Sequence, residues 1–230
     1  MKKITLIIYL VIQTFLYLFA VFIDSNIPAE IINYSIIVTN MIFGLLLLLN
    51  IKTKDSIISV AALFFTLISD TFLILIIQRE IAMISFSVVQ ILYFIKLKNL
   101  NNELKTITKI DSIRFISILL ILIIVFIITF NNLDFLILIT TFYFVMLFFN
   151  FIDSIKIFKI HPTISIGLLL FILCDIFVGL DFLKASLPLD KLPLANFIIN
   201  IDFNFIWFFY TPSQVLLVLS ILLVKKKYVN

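Results

Sequence analysis

The chain predicts an all-α, polytopic membrane protein with eight transmembrane helices and a candidate parallel four-plus-four helix repeat. Three observations carry this. First, 63% of its 230 residues are hydrophobic and 13% are charged, about half the ~25% of an ordinary soluble domain. A lipid-facing exterior requires such apolar excess because the outside as well as the core is solvated by hydrocarbon. Second, eight mostly apolar runs approach the roughly 20 residues that a bilayer demands. Third, basic residues alternate between successive connections.

The first segment, about residues 4–23, follows Lys2 and Lys3. It is long and lacks a small-x-small cleavage site, so it reads as a retained helix rather than a signal peptide. Segments at about 31–50 and 56–77 carry Asn40 and Asp70. The fourth, at about 81–97, is the shortest and carries Gln90 and Tyr93. The fifth and sixth lie at about 113–130 and 135–152. The seventh, at about 163–182, holds Asp175, and the eighth, at about 204–224, holds Tyr210 and Gln214. The eighth has the vaguest start, since Asn196 to Phe205 also suits a loop or an interfacial helix. The whole of 1–230 reads as one integral membrane domain. The longest connections are a basic stretch at about 98–112 and one at about 183–203 containing Pro188 and Pro193.

One set of connections holds Lys2, Lys3, Lys52, Lys54, Lys96, Lys98, Lys105, Lys109, Arg114, Lys156, Lys159 and Lys225 to Lys227; the other holds Arg79, Lys184 and Lys191. That is fourteen basic residues against three. The positive-inside rule then puts both termini in the cytoplasm, with a bacterial cytoplasmic membrane as the expected location. The net charge of +4 reflects this orientation and does not point to nucleic acid. Cys174 is the only cysteine and His161 the only histidine. An intrachain disulfide, a cysteine zinc cluster and any site needing two histidines are therefore excluded within one chain. His161, beside Pro162, is expected to be a solvated loop residue, and Cys174 a small buried one. No cofactor or metal is expected.

Asp70 and Asp175 stand out. A carboxylate within hydrocarbon costs at least ~2.5–3.5 kcal/mol on insertion scales and is seldom there without a partner or a task. Their settings, Leu67-Ile68-Ser69-Asp70-Thr71-Phe72 and Ile172-Leu173-Cys174-Asp175-Ile176-Phe177, align without gaps, and segments three and seven share an orientation. This suggests a duplicated four-helix unit with parallel repeats. At ~1.5 Å per residue, Asp70 and Asp175 lie roughly 20 and 18 Å from the cytoplasmic ends of their segments. Gln90, Tyr93, Tyr210, Gln214 and Asn40 fall at comparable depths. Spacing puts Ser87, Gln90 and Tyr93 on one side of a helix, Trp207, Tyr210 and Gln214 on another, and Thr66 with Asp70. A stripe Gly167, Phe171, Asp175, Gly179 would let a neighbouring helix or a substrate approach closely. The plain alternative is that these polar groups are packing hydrogen bonds and that the aspartates fix helix register.

The stretch Gly167 to Asp175, Gly-Leu-Leu-Leu-Phe-Ile-Leu-Cys-Asp, resembles the Gly-Ala-x-Leu-Phe-x-x-Ser-Asp signature of the YhhN-type lysoplasmalogenase family. Leu63 to Asp70 resembles its Leu-Phe-Ser-x-x-Gly-Asp motif, and Tyr210-Thr211-Pro212-Ser213-Gln214 is similar to its late Tyr-x-x-x-Gln element. Order, spacing and the eight-segment layout agree over nearly the whole chain. Gln90-Ile91-Leu92-Tyr93 stands where the family usually has His-x-x-Tyr. A glutamine keeps hydrogen bonding there and loses proton transfer. The resemblance implies hydrolysis of the vinyl ether bond of lysoplasmalogens to a fatty aldehyde and a glycerophospho-alcohol. It implies Asp175 as acid and Asp70 as base or cation stabiliser, or the reverse. Gln90, Tyr93, Tyr210 and Gln214 would orient substrate and water. The partners are then a lysophospholipid and membrane lipid. A proton-coupled transporter and a non-catalytic lipid-binding relative are the alternatives. Lys184 and Lys191 could attract a phosphate head group and Asp202 could line an outer entrance, although solvated loop positions suit all three. Oligomeric state is left open.

Overall fold

The computed structural model describes residues 3–22, 28–102, 109–130, 134–184, 201 and 203–228. It is all-helical, with no strand among the described residues. In chain order the helices are α1 (Lys3–Phe22), α2 (Ala29–Asn50), α3 (Lys54–Asp70, continued as a π-helical turn Thr71–Ile76), α4 (Arg79–Asn102), α5 (Lys109–Ile128), α6 (Phe135–Lys156), α7 (Pro162–Lys184) and α8 (Phe205–Tyr228). Seven of these are long and apolar enough to cross a membrane, and Ile113–Ile128 within α5 forms a shorter apolar stretch. The protein is a polytopic membrane protein.

Helix ends follow local chemistry. Thr53 caps α3 by accepting from the Ser56 amide (3.1 Å), and Asp134 caps α6 by accepting from the Leu136 amide (2.9 Å). Each satisfies a donor that the first helical turn leaves orphaned. Several helices outrun the apolar runs that announce them: α4 continues through Lys96 and Lys98 to Asn102, and α6 to Lys156. Polar residues beyond the hydrocarbon still have helical propensity, so hydropathy marks the lipid boundary and not the end of the helix.

Most helices bury one face and leave another apolar and exposed, including Ile7, Val11 and Phe15 of α1 and Leu119, Ile124 and Ile127 of α5. In water such faces would be anomalous; in lipid they are the outer surface. The main core gathers Ala62, Phe86, Val89, Tyr93, Leu147, Leu168, Phe171 and Leu217 from α3, α4, α6, α7 and α8. A second cluster joins Tyr9, Phe43, Leu47, Leu63, Val218 and Ile221 between α1, α2, α3 and α8.

Three sequence expectations are corrected here. His161 is buried, at 2% exposure, because the α6–α7 connection folds back under the bundle: its amide donates to Ile157 O (2.8 Å) and its carbonyl accepts from Ile164 N (3.3 Å). Lys96 is also fully buried, with Nζ donating to Ser220 Oγ (2.6 Å). Arg114 is 1% exposed and lies over the Phe94 ring (4.4 Å to the centroid). The two cations share the charge alternation of the connections, yet they face inward. Asp202 and Lys191, and the side chain of Lys184, lie outside the described residues, as do the prolines of the 183–203 connection and residues 103–108.

Candidate active site

Three consecutive residues at the end of α3 reach three different helices. Ser69 Oγ donates to the Ala82 carbonyl of α4 (2.6 Å). Asp70 accepts from the Tyr210 hydroxyl of α8. Thr71 Oγ1 shares a hydrogen bond with the Tyr34 hydroxyl of α2 (3.0 Å) and donates back to Leu67 O (2.6 Å). Immediately afterwards the helix widens into its π turn, a distortion found often at functional sites. The turn closes on Ile77, held at φ 60°, whose left-handed conformation is strained for a β-branched residue. The extra residue per turn carries the chain into α4, with Gln78 N bonded to Phe72 O (2.8 Å).

Asp175 lies on α7 and accepts from the Tyr143 hydroxyl of α6. Tyr143 and Cys174 lie close to both carboxyls, and Tyr210 close to Asp70, Cys174 and Tyr143. Phe171, one turn before Asp175, separates the tyrosines: its ring lies 6.5 Å from Tyr143 and 5.7 Å from Tyr210, centroid to centroid. Phe86 of α4 closes the cluster, 5.5 Å from Tyr143 and 5.9 Å from Phe171. Asp70 is buried at 3% exposure, whereas Asp175 is half-buried. Close approach of α7 and α8 depends on Gly167, where a Cβ would stand 3.0 Å from Leu217 Cγ and 3.3 Å from the Ser213 carbonyl. Ser213 Oγ bonds the Gly167 carbonyl across this contact (2.9 Å).

Of the residues expected from sequence, Asp70, Asp175 and Tyr210 come together. Gln214, one turn beyond Tyr210, is buried with its Nε2 unpartnered. Gln90 is fully buried and hydrogen-bonded to Asn150 of α6. Tyr93 is packed in the main core; among the described residues, the hydroxyls bonded to the carboxyls are those of Tyr143 and Tyr210, not Tyr93. Asn40 is engaged by the Tyr9 hydroxyl of α1 (2.6 Å). A Cβ added at Gly179 would meet nothing within 4 Å, so of these two glycines Gly167 is the one that mediates close packing. Cys174 is buried and free.

Tyr143 was missed by sequence reasoning. It sits in a run of aromatic residues, Phe142-Tyr143-Phe144, where one hydroxyl leaves little trace. Its signal is depth: eight residues into α6, it lies roughly 12 Å from that helix's start, and Asp175 lies roughly 20 Å from the opposite end of the bundle. The two depths together span the ~30 Å hydrocarbon thickness.

Chemically the site offers two carboxyl groups, each holding one phenolic donor, in an aromatic enclosure. A model of the YhhN family matches residues 34–221. This covers most of the chain, which therefore belongs to that family. Comparison with curated proteins finds no match, and comparison with solved structures finds none.

Proposed function

We propose that this protein is a lysoplasmalogenase, hydrolysing the vinyl ether bond of a lysoplasmalogen to a fatty aldehyde and a glycerophospho-alcohol. Family membership is consistent with it. The observation that carries it is the pair of carboxyls within the bundle, Asp70 and Asp175, each given a separate tyrosine donor, with both tyrosine rings packed on Phe171. Vinyl ether hydrolysis needs an acid and a base at one place, and two carboxyls in unlike surroundings supply both roles.

In this reading Asp175, the more accessible carboxyl, donates its proton to the β-carbon of the vinyl ether. The double-bond electrons form the new C–H bond, and the α-carbon becomes an oxocarbenium ion. Asp70, ionised and held by Tyr210, stabilises that cation and takes a proton from the attacking water as its oxygen bonds the α-carbon. The hemiacetal then breaks its bond to the glycerol oxygen. That oxygen leaves with a proton from Asp70, and Asp175 recovers one from the hemiacetal hydroxyl as the aldehyde forms. One water is consumed and both carboxyls return to their starting states. Tyr93, Gln90 and Gln214 contribute by orienting the lipid and water.

The alkenyl chain fits the open apolar groove between α5 and α6, about 340 Å³ and lined by Leu122, Phe126, Phe135 and Phe142 among others. Phe142 adjoins Tyr143, so the groove lies at the level of the site. By the charge bias of the connections, both termini face the cytoplasm and the carboxyls lie nearer the outer side.

The test is aldehyde release from a lysoplasmalogen by the purified protein, with Asp70→Asn and Asp175→Asn alongside. Turnover lost in both folded variants is the expected result. Unchanged turnover in either removes the acid–base assignment, and no turnover in the unmodified protein removes the hydrolase reading.

A further inference from the structure

A chain of polar side chains runs from the opposite end of the bundle to Gln90. Arg114 at the start of α5 pairs with Asp153 of α6 (3.2 Å), which also holds Lys156 (2.7 Å). Arg114 Nη2 donates to Asn150 Oδ1 (3.0 Å). Asn150 Nδ2 donates both to the Gln90 carbonyl (2.8 Å) and to Gln90 Oε1 (3.0 Å).

Every orientation in this chain is forced. A guanidinium only donates and a peptide carbonyl only accepts. Asn150 must therefore turn its oxygen to Arg114 and its amide nitrogen to Gln90. Gln90 must in turn present Oε1 to Asn150. What remains is Gln90 Nε2, a donor without a partner in a side chain of 0% exposure. Buried donors are costly to leave unmade, and here a buried ion pair and a buried amide hold one in that state. Gln90 lies one turn beyond Phe86 on the same helix side, and Phe86 packs on Tyr143 and Phe171 of the carboxyl cluster.

We infer that Arg114 and Asn150 are positioning residues that fix the polarity of Gln90, and that Gln90 Nε2 donates to an uncharged oxygen, ether or hydroxyl, of the bound lysolipid. The acceptor is an oxygen because both remaining amide hydrogens donate. It is uncharged because Gln90 lies eleven residues into α4, roughly 16 Å deep, where an ionised phosphate would carry the cost of any charge in hydrocarbon. The lipid class rests on the function proposed above; the polarity of the amide does not.

The experiment uses an alkyl-ether lysophospholipid, which has no vinyl bond to cleave. Its binding to the purified full-length protein in nanodiscs is measured beside vinyl ether turnover. Asn150→Asp is close to isosteric and keeps an acceptor for Arg114, but it cannot donate, so Gln90 must reverse and turn its oxygen outward. The expected result is binding weakened at least tenfold and KM raised similarly, with kcat changed less than threefold and the unfolding temperature somewhat lower, because the Gln90 carbonyl loses its donor as well. Gln90→Leu should weaken binding equally, and Asn150→Asp should add nothing on that background, an outcome that a merely structural Asn150 would not give. Wild-type binding by Asn150→Asp, or an undiminished further loss in the double variant, overturns the inference. Should Asn150→Asp not fold, undiminished binding by Gln90→Leu overturns it alone. A protein that binds the ether lipid and cleaves nothing defeats the hydrolase reading and leaves this inference standing; cleavage with an unchanged KM in Asn150→Asp does the reverse.

Discussion

The two halves of the bundle, α1–α4 and α5–α8, repeat one order of neighbours. In each half the first helix packs on the second, the second on the third and the third on the fourth, while across the halves α4 packs on α6 and α8 on α2. Each half carries a carboxyl on its third helix, and the tyrosines that hold the two carboxyls pack on one ring, Phe171. Their surroundings differ. Asp70 takes its tyrosine from the other half, Tyr210 of α8, and is buried. Asp175 takes Tyr143 from its own half and is only half-buried. The chain after Asp70 enters a π turn, whereas α7 runs as an α-helix from Pro162 to Lys184. Like residues in like scaffolds acquire unlike surroundings, which is what a division between acid and base requires.

The strongest way to break that comparison is to remove the carboxyls singly and together. General acid–base groups contribute about 10²–10⁴ in rate, so Asp70→Asn and Asp175→Asn should each lower aldehyde release by about that factor. Because the two act as a unit, the double variant should be scarcely slower than either single one. Losses that multiply would mean two independent sites rather than one divided site.

A finer probe removes the tyrosine donors. A hydrogen bond strengthens when its acceptor is ionised, and Asp70 is the carboxyl proposed to work ionised. Removing a bond to a charged group forfeits ~1.5–3 kcal/mol. Tyr210→Phe should therefore slow aldehyde release by about ten- to a hundredfold, and Tyr143→Phe by clearly less. Equal losses would erase the assignment of roles, and a larger loss for Tyr143→Phe would reverse it.

The fold class and the family were legible because they depend on hydropathy and short motifs, both carried by residue type. Asp70 and Asp175 were legible for the same reason: a carboxyl in an apolar run is conspicuous. Tyr143 was not, because an aromatic run conceals its single hydroxyl and its relevance comes from the packing of α6 on α7. Lys96, Arg114 and His161 were misplaced because residue type gives distance along the chain from an apolar run, but not the direction in which a side chain turns at a helix end. Gln90 was recognised as a position, while its polarity depends on Asn150 and Arg114, 60 and 24 residues away. Only contacts between helices disclose that.

Glycines test how tightly the scaffold holds the second carboxyl. At Gly167 an added Cβ would crowd Leu217 and the Ser213 carbonyl, and overpacking typically costs about 1–3 kcal/mol. At Gly179 it would meet nothing within 4 Å, and alanine should gain up to ~1 kcal/mol of helix propensity. Thermal unfolding in detergent should thus fall for Gly167→Ala and hold or rise for Gly179→Ala. A similar fall at both positions would mean that α7 is tightly packed along its whole length and that its two glycines do not differ.

The smallest expected effect concerns the element that most distinguishes the halves. Ile77 closes the π turn after Asp70 at φ 60°, a conformation costing an L-residue roughly 1–2 kcal/mol. Glycine adopts it freely but gives up ~0.5–1 kcal/mol in conformational entropy. Ile77→Gly should therefore raise stability by about 1 kcal/mol or less, visible as a small rise in unfolding temperature. If the π turn is held by the ties of Ser69, Asp70 and Thr71 to α4, α8 and α2, aldehyde release should stay as it was. Those ties lie on the α3 side of the turn and do not depend on how the chain leaves it. A clear fall in turnover without a fall in stability would instead make the strained exit at Ile77 part of what aims Asp70, and the difference between the halves would then extend into the loop joining α3 to α4.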